Sequence, residues 1–147
     1  MTQPFVRSGH RGARGLFPEN TLEGFAAALR LGVTSLELDV AITRDGVAMV
    51  IHDPELNPDI VRTPDGAWLP ARGPAICTRT AAELARYDIG RLRPGSALAA
   101  QFPAQTPIDG ARIPTLAAVL ALAAPAGVVV DVELKTIPDR PEVSVSP

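Results

Sequence analysis

Two segments of this sequence alternate charged and apolar residues, and that alternation limits the folds the chain can adopt. Residues 37–39 read Glu-Leu-Asp, and residues 133–135 read Glu-Leu-Lys. Successive side chains of a β-strand point to opposite faces, so residues two apart share a face. Each segment therefore predicts a strand with one apolar face against a core and one charged face on the other side.

Strands and helices alternate along the chain around these two segments. Val47–Ile51 is apolar at every position, which is typical of a strand buried on both faces. Strands interleaved with helices favour an α/β fold with a mainly parallel sheet. Four strands are predicted, over Phe5–Gly12, Thr34–Ala41, Val47–Ile51 and Val128–Lys135.

Three helices are predicted from the residues at which they begin. Asn20 is expected to cap the first helix, with Glu23 as its capping-box partner. Thr80 and Glu83 repeat this pattern at a short second helix, and Thr115–Ala123 forms a third, apolar helix. Four apolar residues of the first helix have the spacing of a single buried face: Leu22, Phe25, Ala26 and Leu29.

The charge balance and the apolar runs exclude several classes of protein. The chain has 14 basic and 16 acidic residues and no basic cluster, so we expect neither a nucleic-acid partner nor a membrane-surface partner. The longest apolar run, Leu116–Val130, is shorter than the roughly 18 residues of a membrane span and is broken by Pro125 and Gly127. A single cysteine, Cys77, and an N-terminus without a signal-peptide core favour a cytoplasmic protein.

Three acidic residues on the charged faces are candidate metal ligands. Glu37 and Asp39 point the same way from one strand, and Glu133 shares a face with Lys135 on another. Carboxylate oxygens suit Mg²⁺ or Ca²⁺ better than Zn²⁺. For any single acid, an internal salt bridge is the better interpretation. Three buried acids together are costly without a metal or partners, so the set favours a divalent cation site.

The chain has two histidines, and both are candidates for proton transfer. His10 and His52 each lie at the carboxyl end of a predicted strand, where α/β folds place their active sites. Imidazole titrates near neutral pH, which suits general acid and base roles. Arg11 follows His10, and its guanidinium suits an anionic group of a substrate. A salt bridge from Arg11 to Glu19 is the alternative.

Six short motifs, in this order and spacing, resemble the glycerophosphodiester phosphodiesterase family. The resemblance covers nearly the whole chain. It implies a (β/α)₈ barrel that hydrolyses glycerophosphodiesters to an alcohol and glycerol 3-phosphate with a divalent cation. The motifs are His10-Arg11-Gly12, Pro18-Glu19-Asn20-Thr21, Glu37-Leu38-Asp39, His52-Asp53, Ile113-Pro114-Thr115-Leu116 and Glu133-Leu134-Lys135.

The resemblance also implies a role for each candidate residue. It leaves open which histidine is the acid and which the base, and whether the cation is Mg²⁺ or Ca²⁺. The implied metal ligands are Glu37, Asp39 and Glu133, the implied acid and base are His10 and His52, and the implied phosphate contacts are Arg11 and Lys135.

The length of the chain limits how much of such a barrel it can form. A (β/α)₈ barrel usually has about 250 residues and at least about 200, whereas this chain has 147. We therefore expect about the first four strands, with residues 1–135 as the N-terminal half of the barrel and residues 57–110 as an irregular insertion. The proline-rich tail, residues 136–147, would start the missing half. A half barrel has open strand edges, through which self-association is expected.

Three functions fit these observations. The first is a glycerophosphodiester phosphodiesterase sequence that belongs to a longer enzyme with a small-molecule substrate, and it is the one we favour. The second is a related phospholipase-type phosphodiesterase on the same barrel. The third is an inactive half barrel that serves as a binding or oligomeric remnant. The alcohol of the substrate stays open, because the pocket wall that would recognise it is expected in the missing half.

Overall fold

Four strands and four α-helices form the regular structure of residues 5–144, the part of the chain that the computed structural model describes. Short 3₁₀ helices cover Ile76–Thr78, Ala124–Ala126 and Pro141–Val143. In chain order the main elements are β1 (Ser8–His10), α1 (Leu22–Arg30), β2 (Ser35–Ile42), β3 (Ala48–Val50), α2 (Ala81–Leu84), α3 (Ala97–Gln101), α4 (Leu116–Ala123) and β4 (Val129–Leu134).

The sheet is organised around β2, which has a parallel neighbour on each edge. Glu37 of β2 is in register with His10 of β1 on one edge and with Asp131 of β4 on the other. Asp39 of β2 lies next to Glu133 of β4 in the same register. The α/β fold with parallel strands is therefore confirmed, and the two predicted charged strands are neighbours in the sheet.

The strand β3 is the exception in this mainly parallel sheet. It runs antiparallel to β2, with Val50 opposite Val40. A parallel pair would need a crossover connection of about a dozen residues or more. The segment Thr43–Gly46 instead forms a tight turn, in which the Gly46 N–H donates to the Thr43 carbonyl at 3.0 Å and Gly46 has a φ of +78°. Among the described residues three strands are therefore parallel, and β3 is an antiparallel hairpin partner of β2.

The start of α1 also differs from the prediction. The N-cap is Thr21, whose Oγ1 accepts from the Gly24 N–H at 2.9 Å, so Asn20 as the cap is wrong. Asn20 has a φ of +53°, outside the extended conformation of an N-cap, and its side chain donates to Asp39 instead. The buried face is rotated accordingly, with Leu22 exposed. The residues of α1 that are buried are Gly24, Phe25, Ala27 and Ala28.

The other helix starts agree with the sequence. Thr80 caps α2 and forms a complete capping box with Glu83. Thr115 caps α4 by accepting from the Ala118 N–H. Among residues 5–144, no helix is both long and apolar enough to span a bilayer.

The buried apolar residues form two clusters. One lies between the apolar face of β2 and the helices α1 and α4, and it contains Phe25, Leu36 and Val119. The other lies between the hairpin of β2 and β3 and the long connection from β3 to α4, and it contains Met49, Leu56 and Leu84 among others. The connection has little regular structure but packs around buried side chains of its own. The charged face of β2 and β4 lies on the side of the sheet opposite to the first cluster.

Candidate functional site

Three carboxylates meet on the charged face of β2 and β4. Glu37, Asp39 and Glu133 each offer an oxygen atom, and these three atoms lie within 4.8 Å of one another. The parallel register places Asp39 beside Glu133, and the two-residue repeat of the strand places Glu37 on the same face. Ca²⁺ binds oxygen atoms at about 2.3–2.6 Å, so one such ion could reach all three.

Asp131 lies on the same face of β4 but outside this cluster. Its Oδ2 accepts a hydrogen bond of 2.7 Å from the Ser35 hydroxyl. It is one alternation earlier in the strand than Glu133 and is in register with Glu37. Asp131 is therefore bonded to the side chain of a neighbouring strand and is not one of the three clustered carboxylates.

The central carboxylate, Asp39, is fully buried and has several partners. Arg11 Nε lies 3.2 Å from its Oδ2, Lys135 Nζ lies 3.0 Å from its Oδ1, and Asn20 Nδ2 donates to Oδ2 at 3.3 Å. Burial raises the pKa of Asp39, but Lys135, Asn20 and Arg11 together lower it by more, so the pKa lies below its ordinary value. Asp39 is therefore ionised at neutral pH.

Lys135 joins the two strands of the cluster. Its Nζ donates to Glu133 Oε1 at 2.6 Å and also lies next to Asp39. Burial lowers the pKa of Lys135, but its two carboxylate partners raise it by more, so the ammonium group stays charged. The salt-bridge network that was the alternative to a metal site is thus present among the same residues.

Arg11 is almost fully buried and connects β1 to the cluster. Its backbone has a φ of +52°, and its backbone N–H donates to Glu37 Oε2 at 3.1 Å. Its guanidinium donates to Glu19 Oε1 at 3.0 Å, so the alternative partner Glu19 is also found. Arg14 Nε lies 2.5 Å from the other oxygen of Glu19, which places one buried carboxylate between two arginines.

The two histidines reach the site from different elements. His10 is the last residue of β1, and its Nε2 lies 3.7 Å from Glu37 Oε2. His52 follows the antiparallel strand β3, which turns the chain back along β2, where the Ile51 N–H donates to the Asp39 carbonyl at 3.0 Å. The charge of His52 also lowers the pKa of Asp39, so His52 lies near the acidic cluster. The hairpin, and not a parallel strand, brings this histidine to the site.

Sequence reasoning assigned no role to two further residues next to His52. Asp53 Oδ1 lies 2.9 Å from His52 Nδ1, and Asn57 Nδ2 donates to Asp53 Oδ2 at 2.6 Å. The His-Asp pair was visible in the sequence as a motif, but adjacent residues in a strand point to opposite faces. The contact forms because the chain has left β3 at this point.

The charges of the site leave room for a cation. Four carboxylates, Glu19, Glu37, Asp39 and Glu133, meet three basic side chains, Arg11, Arg14 and Lys135. The group has one negative charge in excess while both histidines are neutral. A divalent cation bound to the acidic cluster would reverse this sign, and the resulting positive site would attract a phosphate group.

The fold and the site define a class: an α/β protein whose parallel strands present an acidic cluster, basic side chains and histidines on one face. Residues 10–145 match the glycerophosphoryl diester phosphodiesterase family. The chain belongs to this family.

Individual relatives agree with this assignment. A solved structure from Silicibacter pomeroyi, assigned to the glycerophosphoryl diester phosphodiesterases, aligns with a TM-score of 0.88 and 39% identity over 94% of this chain and 48% of its own. A phosphodiesterase from Oleispira antarctica, solved with the product sn-glycerol-3-phosphate, aligns with a TM-score of 0.65 and 28% identity over 96% of this chain and 48% of its own.

A glycerophosphodiester phosphodiesterase from Caldanaerobacter subterraneus subsp. tengcongensis is 33% identical over 86% of this chain and 44% of its own length. The chain thus spans less than half the length of each of these three relatives.

Proposed function

We propose that this chain supplies the cation-binding, phosphate-binding and proton-transfer residues of an enzyme that hydrolyses glycerophosphodiesters to an alcohol and glycerol 3-phosphate. The observation that carries the proposal is the meeting of Glu37, Asp39 and Glu133 within 4.8 Å, with Arg11 and Lys135 in the same ion-pair network. Membership of the family supports it, as does the product bound to the Oleispira antarctica relative.

In this proposal the three carboxylates hold one divalent cation, Mg²⁺ or Ca²⁺. When bound, the cation neutralises charge on the phosphate and favours the ionised form of an attacking oxygen. Arg11 and Lys135 orient the phosphodiester and offset the remaining negative charge, since both side chains form ion pairs with Asp39 in the same network.

The two histidines carry the protons. One imidazole takes a proton from the attacking water molecule, whose oxygen forms the new bond to phosphorus, and the other gives a proton to the alkoxide that leaves as the alcohol. His10 Nε2 lies 3.7 Å from Glu37 Oε2 and His52 Nδ1 lies 2.9 Å from Asp53 Oδ1, so each ring has a carboxylate neighbour that can orient it.

The extent of the domain belongs to the same proposal. Residues 1–135 form the N-terminal part of a (β/α)₈ barrel in a cytoplasmic enzyme, with β1, β2 and β4 as successive parallel strands. Residues 57–110 are an insertion between the hairpin and α4, and residues 136–147 lead into the rest of the barrel. The high TM-score to the Silicibacter pomeroyi structure over half of that chain supports this placement.

Cation binding tests the acidic cluster without requiring activity. Titration of the protein with MgCl₂ or CaCl₂ in a calorimeter is expected to show one site. Asp39→Asn and Glu133→Gln should each weaken binding by at least about tenfold, because each removes a ligand. Asp131→Asn, on the same face but bonded to Ser35, is the matched control and should bind the cation as the unmodified protein does. Equal loss in all three variants would contradict the site.

Hydrolysis tests the assignment of the histidines. The intact protein is assayed with glycerophosphocholine, with divalent cation and after its removal by a chelator. Activity is expected only with cation, and His10→Ala and His52→Ala should each lower the rate by about 10²–10⁴-fold. A histidine variant with a normal rate would remove that residue from the proposed mechanism.

A further inference from the structure

A chain of three hydrogen bonds runs from His52 away from the acidic cluster. His52 Nδ1 lies 2.9 Å from Asp53 Oδ1, Asn57 Nδ2 donates to Asp53 Oδ2 at 2.6 Å, and the backbone N–H of Asp59 donates to Asn57 Oδ1 at 2.9 Å. The Asp53 carboxylate and the Asn57 amide each take part in two of these bonds, one through each polar atom. Which atom donates in the last bond therefore determines which atoms donate in the other two.

At the backbone end of this hydrogen-bond series, donor and acceptor are fixed. The N–H of Asp59 can only donate, so the atom of Asn57 that faces it must be the amide oxygen. The amide nitrogen of Asn57 then faces Asp53 as a donor, and Asp53 Oδ2 must accept. Two of the three bonds are thus assigned without any choice of side-chain orientation.

The carboxylate in the middle completes the assignment. Burial raises the pKa of Asp53, but the bonds from His52 and Asn57 lower it by more, so Asp53 is ionised near neutral pH. An ionised carboxylate only accepts, so the proton of the bond to His52 is on Nδ1. Nε2 of the neutral ring then has the free lone pair that can take a proton.

Apolar side chains pack beside this hydrogen-bond series. Asp53 and Asn57 border a small, partly open cavity of about 20 Å³ whose apolar wall includes Ile60, Val61 and Ile89. These three residues come from the long connection between β3 and α4, and Val61 is fully buried. The apolar wall shields one side of these part-buried hydrogen bonds from water, which strengthens them and stabilises the orientation of the ring.

We propose that Asp53 and Asn57 are positioning residues for His52, which fix its ring in the tautomer with the proton on Nδ1 and present Nε2 to the reacting group. The catalytic part of this inference rests on the proposed function, because it gives His52 a substrate to act on. The tautomer itself depends only on the hydrogen bonds and can be measured in the protein without substrate.

Nuclear magnetic resonance of the ¹⁵N-labelled protein tests the tautomer directly. The chain has two histidines, so His10→Gln leaves His52 as the single imidazole in the spectrum. At a pH where the ring is neutral, long-range ¹H–¹⁵N correlations distinguish a protonated Nδ1 from a protonated Nε2. We expect Nδ1 to be protonated in the parent chain.

Asp53→Asn should switch the tautomer. Asn57 still donates toward residue 53, so the new amide must turn its oxygen to Asn57 and its nitrogen to His52 Nδ1. The ring can then accept only at Nδ1, and its proton moves to Nε2. The rate of hydrolysis should fall by about 10²–10⁴-fold with little change in KM, because the nitrogen that faces the substrate already carries a proton.

The double variant Asp53→Asn/Asn57→Asp should restore the parent tautomer. The carboxylate at position 57 accepts from both the Asp59 N–H and the amide at position 53, which turns the amide oxygen back to His52. Hydrolysis should recover in part. Asp59→Asn is the matched control, because only the backbone N–H of Asp59 takes part in these hydrogen bonds. This variant should keep both the tautomer of His52 and the rate of hydrolysis.

The outcomes separate this inference from the proposed function. An unchanged tautomer in Asp53→Asn, in a variant whose circular dichroism matches the parent, would overturn the inference whatever the activity. A tautomer that switches and switches back, in a protein that hydrolyses no glycerophosphodiester in any form, would support the positioning of His52 and overturn the proposed function.

Discussion

The strands β2 and β4 lie side by side with the same direction and the same alternation of residues, yet their surroundings differ. Leu38 of β2 is fully buried, whereas Leu134 of β4 is 59% exposed. β2 has strands on both edges and helices against its apolar face, while β4 has β2 as its single strand neighbour among the described residues. Alternation sets the face to which a side chain points, but the neighbouring elements decide whether that face is buried.

Burial also differs between Asp39 of β2 and Glu133 of β4, which are in register. The side chain of Asp39 is 0% exposed and that of Glu133 is 53% exposed. Burial makes Asp39 depend on Arg11, Lys135 and Asn20, whereas water can solvate Glu133 directly. Asp39 is thus the fixed member of the acidic cluster, and Glu133 is the member that can adjust its position.

The largest expected effect is on folding stability. Leu38→Ala on β2 should lower the free energy of unfolding by about 2–5 kcal/mol, because it leaves a cavity in a packed core. Leu134→Ala on β4 removes the same atoms from an exposed position and should change it by less than about 0.5 kcal/mol. Urea denaturation measures both. Similar losses for the two variants would show that β4 is as well packed as β2.

A smaller loss is expected where β4 supports β2. Lys135→Met removes the ammonium group beside Asp39 and should lower the free energy of unfolding by about 1–3 kcal/mol, because a buried carboxylate loses a charged partner. Arg44→Met, which breaks an exposed ion pair with Glu83, is the control and should cost at most about 1 kcal/mol. Equal effects would mean that Asp39 gains nothing from Lys135.

The pH dependence of stability should show the buried acid of β2. The pKa of Asp39 is lower in the folded chain than its ordinary value of 3.8, so its contribution is complete above that pH and is lost as the pH falls through the folded pKa. The melting temperature of Asp39→Asn should therefore fall less steeply below about pH 4 than that of the parent. Glu133→Gln should leave this slope nearly unchanged. A slope that flattens in Glu133→Gln and not in Asp39→Asn would contradict the assignment of the effect to Asp39.

The smallest effect on stability is expected at the outer edge of β4. Val129 is 61% exposed, and Val129→Lys should change the free energy of unfolding by less than about 0.5 kcal/mol. The same change places a charge beside an open strand edge, where it should reduce self-association. Size-exclusion chromatography over a range of concentrations measures this. Association that is as strong in the variant as in the parent would exclude the β4 edge as the contact.

Local patterns were sufficient to predict part of this structure. The alternation at 37–39 and 133–135 gave two strands and their charged face, and Thr80 with Glu83 gave the capping box of α2. Both depend on residues that are near one another in sequence. The meeting of Glu37, Asp39 and Glu133 followed from the strand geometry together with the resemblance to the family.

The remaining features depend on contacts between distant residues. Asn20 has the chemistry of a cap, but its side chain bonds to Asp39, and the capping role passes to Thr21. The direction of β3 could have been read from the tight turn Thr43–Gly46, which is too short for a crossover. The roles of Asp53 and Asn57 depend on where the chain goes after β3, and neither alternation nor helical spacing extends into that segment.

The hairpin of β2 and β3 has a consequence for how a chain of this kind can change during evolution. It returns the chain to Asp39, where the Ile51 N–H donates to the Asp39 carbonyl, and the Asp59 N–H ends the series of hydrogen bonds that fixes the His52 ring. The chain must keep its length as far as Val61, because Ile60 and Val61 line the cavity beside Asp53 and Asn57. The exposed turn at residues 64–66 lies outside these contacts, so an insertion there would leave the hydrogen bonds around His52 in place and the proton-transfer geometry could be inherited unchanged.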